Sequence, residues 1–114
     1  MVLPDLLDRK LTLLASYTGY LDQLAAVPPD DFLASFQDCG AARYYLQVAL
    51  ECCFDIGAHI LASDTTHRAE DYRSILRFLG EEGVLPNDVV AAMQPAAALR
   101  NRLVHGYDQI DDAR

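Results

Sequence analysis

Leu46-Gln47-Val48-Ala49-Leu50-Glu51-Cys52-Cys53-Phe54-Asp55-Ile56-Gly57-Ala58-His59-Ile60-Leu61 is the stretch on which the fold class turns. Its apolar set is Leu46, Ala49, Leu50, Cys53, Phe54, Ile56, Gly57, Ile60 and Leu61. These residues recur mostly at steps of three and four, the helical period, and they are too many for one narrow stripe. The pattern predicts a long helix, from roughly Asp38 to Ala62, covered on more than one side. Such a helix needs neighbours, and the flanking sequence supplies them. Leu6, Leu7, Leu13, Leu14, Tyr17, Leu21 and Leu24 give a first helix from about Pro4 to Ala26. Pro4 suits its first turn, and Asp5 and Asp8 suit the positive end of its dipole. Val27-Pro28-Pro29 stops it, and Asp30 and Asp31 open a short helical turn through Phe36. Ser63-Asp64-Thr65-Thr66 is rich in capping residues, which starts a third helix near His67, with Tyr72, Ile75, Leu76 and Leu79 facing inward. Gly80 and Gly83 close that helix. A fourth begins after Pro86 and reaches about His105, with Pro95 expected to kink or split it and Gly106 to stop it. No period-two strand interrupts the series. The reading is all-α: one domain over residues 1–114, an antiparallel four-helix up-down bundle with short loops.

Size and charge narrow the function. A chain of 114 residues holds one core, and 52% hydrophobic with 23% charged residues is a globular composition. The uncharged runs Leu11–Leu21 and Val89–Leu99 are too short to span a bilayer, so no membrane segment is expected. Asp5 and Asp8 precede the first leucines where a secretory signal would be basic, so a cytoplasmic location is expected. Cys39, Cys52 and Cys53 are an odd count without metal-ligand spacing and read as buried free thiols. The net charge of −8 opposes indiscriminate RNA binding, because such binding is mostly phosphate neutralisation by Lys and Arg. An RNA substrate would require the nine basic residues to be concentrated locally. A basic protein partner is the competing use of the acidity.

The chemistry-bearing segment is Arg100-Asn101-Arg102-Leu103-Val104-His105-Gly106-Tyr107. A permanent cation suits the charge of a phosphorane, and an imidazole both accepts and donates protons near neutrality. On a regular helix the five steps from Arg100 to His105 separate their directions by about 140°. The two are therefore not cofacial in one helix, and a two-fold dimer, in which each chain lends groups to a shared cleft, is the simpler way to unite them. The plain alternative is that basic residues near a helix C-terminus complement its dipole and cap its carbonyls. A second constellation, Arg43, Gln47, Glu51, Asp55 and His59, falls at four-residue steps on the long helix. It is either a solvated ridge with pairs such as Asp55 and His59, or a set in which Glu51 or Asp55 orients His105 or contacts a partner. The Glu-x-x-His spacing of di-iron bundles is absent, so neither a metal nor another cofactor is expected. His67 is expected in a loop and exposed.

The stretch Arg100–Asp111 resembles the RX4HXY signature of the HEPN superfamily, specifically its HepT-like toxins. Arg100, His105 and Tyr107 fall on the three signature positions. Asn101 matches the polar residue that often follows the motif Arg, and Leu103 and Val104 match the apolar pair before the His. More loosely, Leu46–Glu51 with Asp55–Ile60, and Tyr72-Arg73 with Leu79–Pro86, are similar to the family's middle helices. The resemblance implies a HEPN-like bundle that dimerises through the motif helices. It also implies a metal-independent endoribonuclease toxin of a type VII toxin–antitoxin pair. In that chemistry the ribose 2′-hydroxyl attacks the adjacent phosphate, His105 moves protons, Arg100 stabilises the phosphorane, and Asn101 positions the phosphate. Tyr107 would be the target of AMP transfer by a minimal nucleotidyltransferase antitoxin. Two departures stand out. Seven residues follow Tyr107, where the family usually carries a further helix, so a shortened form is expected. Gln94-Pro95-Ala96-Ala97-Ala98 also replaces the usual approach to the motif. The alternative function is a non-catalytic module that complexes with a nucleotidyltransferase or helps it bind substrate.

Overall fold

In a computed structural model that describes residues 4–64, 71–105 and Asp112, the chain forms five helices. They are α1 (Pro4–Ala25), α2 (Pro29–Ala34), α3 (Phe36–Asp64), α4 (Tyr72–Glu81) and α5 (Asn87–His105). No strand occurs among the described residues. The four expected long segments are all helical, and the expected short turn is α2.

Local chemistry explains where the boundaries differ from expectation. Phe36 belongs to α3 rather than to α2, because Ser35 is extended and its hydroxyl accepts the Asp38 N–H at 3.1 Å, capping α3 two residues earlier than expected. Ser63 and Asp64 continue α3 rather than capping the next helix. The cap of α4 is Asp71, whose carboxylate accepts the Ser74 N–H at 2.8 Å. That bond is the main reason its carboxyl is held below the usual range. His67 lies outside the described residues. Gly83 ends α4 with φ +74°, and Val84 donates to the Leu79 carbonyl at 2.9 Å. Gly80, expected to help close α4, lies within it. Pro95 does not split α5, which runs through it as one helix. Pro95 and Ala91 are both exposed, so the carbonyl deprived of its donor lies on the solvated side.

Named contacts set the helix directions. Lys10 meets Asp55, whereas Tyr17 meets Tyr44 and Tyr45, so α1 runs antiparallel to α3. Glu51 meets Arg100, which sets the last turns of α5 beside the middle of α3. Gly80 faces Val90 while Tyr72 faces Arg100, so α4 opposes α5. Helix α3 touches all four others. Its Phe54 and Leu61 are each 1% exposed and form the core with Leu50, Ile75, Leu76, Leu79, Ala97 and Leu103. Gly57 admits α4 closely: a Cβ there would lie 2.9 Å from both Ile75 Cγ2 and Leu79 Cδ1.

Helix α3 is long and apolar enough, by length and composition, to cross a membrane. Asp38, Arg43, Glu51 and Asp55 interrupt its apolar run. Three of those charges pair with groups outside α3 and its apolar residues pack on the other helices, the arrangement of a bundle's core helix.

The buried set begins at Ala49, so the second half of α1 and the first half of α3 form an arm beyond the core. This arm accounts for the elongated 47 × 27 × 25 Å extents. Edge-to-face and tilted contacts among Tyr17, Tyr20, Tyr44 and Tyr45, with centroids 5.3 to 6.3 Å apart, zip it together. Pairs of this kind contribute about 0.5–1.5 kcal/mol beyond area burial. The three cysteines are free, but only Cys52 is buried; Cys39 and Cys53 are half-buried. Desolvation pushes all three thiols above their ordinary range, which favours the inert protonated form.

Truncating Leu76, 2% exposed at the α3–α4–α5 junction, leaves a cavity that costs about 2–5 kcal/mol. Urea unfolding of Leu76→Ala is expected to show that loss. Gly57→Val overpacks the α3–α4 contact and is expected to lower stability by about 1–3 kcal/mol in the same measurement.

Candidate functional site

Helix α5 presents the motif because Leu103, 3% exposed, anchors its last turns in the core. Around that anchor the polar residues divide. Arg100 turns inward, with its side chain 18% exposed. Asn101, Arg102 and His105 lie exposed. The structure therefore does not bring Arg100 and His105 onto one face of a protomer, as the helical angle between them requires.

Three groups position Arg100. Its Nη2 donates to Glu51 Oε1 at 3.1 Å. Its guanidinium carbon stands 4.8 Å from the centroid of the Tyr72 ring. Tyr72 in turn stacks on Phe54, with centroids 4.5 Å apart and planes 28° from parallel. The cation thus lies on an aromatic platform whose base, Phe54, is fully buried in the core. Its Nε is buried and has no hydrogen-bond partner among the described residues. A buried donor on a permanent cation costs free energy until an acceptor reaches it. The guanidinium fork matches phosphate geometry, which suits this fixed cation to an anionic partner.

The ridge on α3 resolves into separate pairs because four-residue steps advance about 40° around the helix. Arg43 makes a two-point pair with Asp112, at 2.7 and 3.0 Å. Glu51 holds Arg100, and Asp55 accepts from Lys10 of α1 at 3.1 Å. The expected Asp55–His59 pair is replaced by this contact between helices, and His59 is exposed. Glu51 touches the motif Arg rather than the motif His. Its place on the ridge is the one sequence signal of that role. Tyr72 carries no such signal, since its spacing marks it simply as a core-facing residue. Tyr107 and Gly106 lie outside the described residues. Among the described residues, no group of three or more His, Cys, Asp or Glu is arranged to hold a metal ion.

Comparison with known proteins bears on the whole of this arrangement. Residues 10–114 match the family described as Ribonuclease HepT-like. The chain is 30% identical over 108 residues to the tRNA nuclease HepT of Aphanizomenon flos-aquae, covering 95% of this chain and 74% of that protein. It is 34% identical over 68 residues to a putative RNase of Archaeoglobus fulgidus, covering 60% of this chain and 51% of that protein. With an all-α bundle and the Arg–His motif closing its last described helix, this chain belongs to the HepT-like ribonuclease family.

Proposed function

We propose that the protein is a metal-independent endoribonuclease toxin of a type VII toxin–antitoxin pair, acting in the cytoplasm. The observation that carries the proposal is Arg100, a cation fixed by Glu51 and Tyr72 in the last turns of the motif helix. In the proposed reaction the 2′-hydroxyl oxygen bonds to the adjacent phosphorus and the bond to the 5′-oxygen breaks, leaving a 2′,3′-cyclic phosphate. One His105 takes the 2′-hydroxyl proton, and an imidazolium returns a proton to the departing 5′-oxygen. Arg100 neutralises the charge that builds on the non-bridging oxygens. Asn101, exposed one residue along, positions the phosphate.

The active form in this reading is a homodimer. Arg100 faces inward and His105 outward, so a second copy is the direct source of the missing partner group. Two copies of each also create local positive charge within a chain of net charge −8. The substrate we favour is tRNA, because the Aphanizomenon relative is a tRNA nuclease. Regulation in this reading is AMP transfer to Tyr107 by a minimal nucleotidyltransferase antitoxin. A bulky phosphate placed two residues beyond His105 would fill the cleft and compete for Arg100.

Purified protein incubated with tRNA in EDTA is expected to release fragments ending in 2′,3′-cyclic phosphate. His105→Ala should lower the rate by roughly 10²–10⁴-fold, the usual contribution of a general acid–base group. Intact RNA in that assay, with tight binding of a nucleotidyltransferase retained by the variant, would identify a non-catalytic module instead. For the shared cleft, mixing Arg100→Ala and His105→Ala protomers is expected to restore cleavage that neither shows alone. Failure of the mixture after verified subunit exchange places both groups in one protomer.

A further inference from the structure

Helices α4 and α5 enclose a groove of about 680 Å³ lined by Asp71, Arg73, Ser74, Arg77, Asn87 and Gln94, with Gly80, Glu81 and Val90 completing its walls. None of these residues belongs to the Arg–His motif. We propose that this groove is an RNA-backbone subsite, in which Arg73 and Arg77 bind phosphates flanking the scissile one; this rests on the nuclease reading above.

The first argument is how the chain distributes its few cations. Lys10, Arg43 and Arg100 are each paired with a carboxylate, Asp55, Asp112 and Glu51 respectively. Arg73 and Arg77 are exposed, sit one helical turn apart on α4, and both line the groove. In a protein of net charge −8, exposed cations placed together are where a polyanion finds affinity. Arg77 is further steadied by the ring of Phe78, 4.8 Å from its guanidinium carbon, so less side-chain entropy is lost on binding.

The second argument is direction. Because α4 and α5 are antiparallel, the groove runs from Gly80 and Val90 toward the end where Tyr72 supports Arg100. On α5, Gln94, Asn101 and His105 are separated by seven and four residues and fall within about 40° of one direction on a helix. The groove wall at Gln94 thus continues along one stripe into the exposed motif residues. A strand whose reacting phosphate sits near the motif can lay its neighbouring phosphates along Arg73 and Arg77. Ser74, Asn87 and Gln94 offer polar groups to sugar and phosphate oxygens there.

Two carboxylates also line the groove, so its fit to a polyanion rests on where the arginines stand rather than on net charge. Asp71 is committed to capping α4 through the Ser74 N–H, and Glu81 is the last residue of α4, at the end away from Tyr72. The carboxyl of Asp71 is held low first by that hydrogen bond and further by Arg77 and Arg73.

The test is binding of tRNA by the full chain carrying His105→Ala, with and without Arg73→Gln/Arg77→Gln, across a series of salt concentrations. Losing two phosphate contacts should weaken binding and reduce the slope of log affinity against log salt by roughly 1.4–1.8. In the cleavage-competent chain the same pair should raise KM and leave kcat within about twofold, since contacts made equally in ground and transition states act on binding. Circular dichroism verifies the fold of the variants. Unchanged affinity and salt slope beside normal cleavage overturn the groove and leave the nuclease reading standing, as does a loss confined to binding a protein partner. A collapse of kcat with affinity intact moves the arginines out of a binding role and overturns it too. A parent chain that neither binds nor cleaves tRNA removes both proposals.

Discussion

The stack of Phe54, Tyr72 and Arg100 joins the stability of this protein to its chemistry. Phe54 is 1% exposed at the centre of α3, Tyr72 lies on it from the first turn of α4, and the Arg100 guanidinium lies over Tyr72 from α5. Three helices therefore have to pack correctly before the cation is placed. Glu51, three residues before Phe54 on α3, fixes one edge of the guanidinium. The arrangement favours a fixed cation over one that must be organised when substrate arrives, the kind of preorganisation on which electrostatic catalysis depends.

The charges on the core helix each serve a different contact. Arg43, Glu51 and Asp55 share α3, and the winding of the four-residue ridge delivers each to a separate partner. Lys10–Asp55 ties α1 to α3, and Arg43–Asp112 ties a residue beyond the motif to the same helix. Partly exposed pairs contribute little to stability individually, commonly no more than about 1 kcal/mol. Their value here is in register: they fix which turns of α1 and α5 meet which turns of α3. They also occupy cations that would otherwise be spread over an acidic surface, so the exposed arginines of α4 and α5 stand out.

Much of the fold is legible in the sequence because apolar residues at helical spacing must be buried together, and Pro28, Pro29 and Pro86 punctuate the chain. The bounds of α1 and α5 follow from those signals to within a residue. The structure departs from them where short-range capping competes. Ser35 and Asp71 cap the helices after them, while Ser63 and Asp64 remain helical. A hydroxyl or carboxylate at a boundary does not declare which N–H it will accept. Pro95 carries the sequence signal of a break, yet on the solvated face of α5 its lost hydrogen bond is tolerated. The candidate site was legible only in part: the motif places Arg100 and His105, but the groups that hold Arg100 come from two other helices.

By itself, the sequence determined that the chain is helical, that α3 is covered on several sides, and that Arg100 and His105 point in different directions. Each follows from local periodicity and the fixed angle per residue of a helix. Only the tertiary structure decided that Glu51 and Tyr72 hold Arg100, that Asp55 pairs with Lys10 rather than His59, and that Arg73 and Arg77 share a groove with α5. Those contacts join residues far apart in the chain, and their partners are chosen by how whole helices pack, which no local spacing encodes.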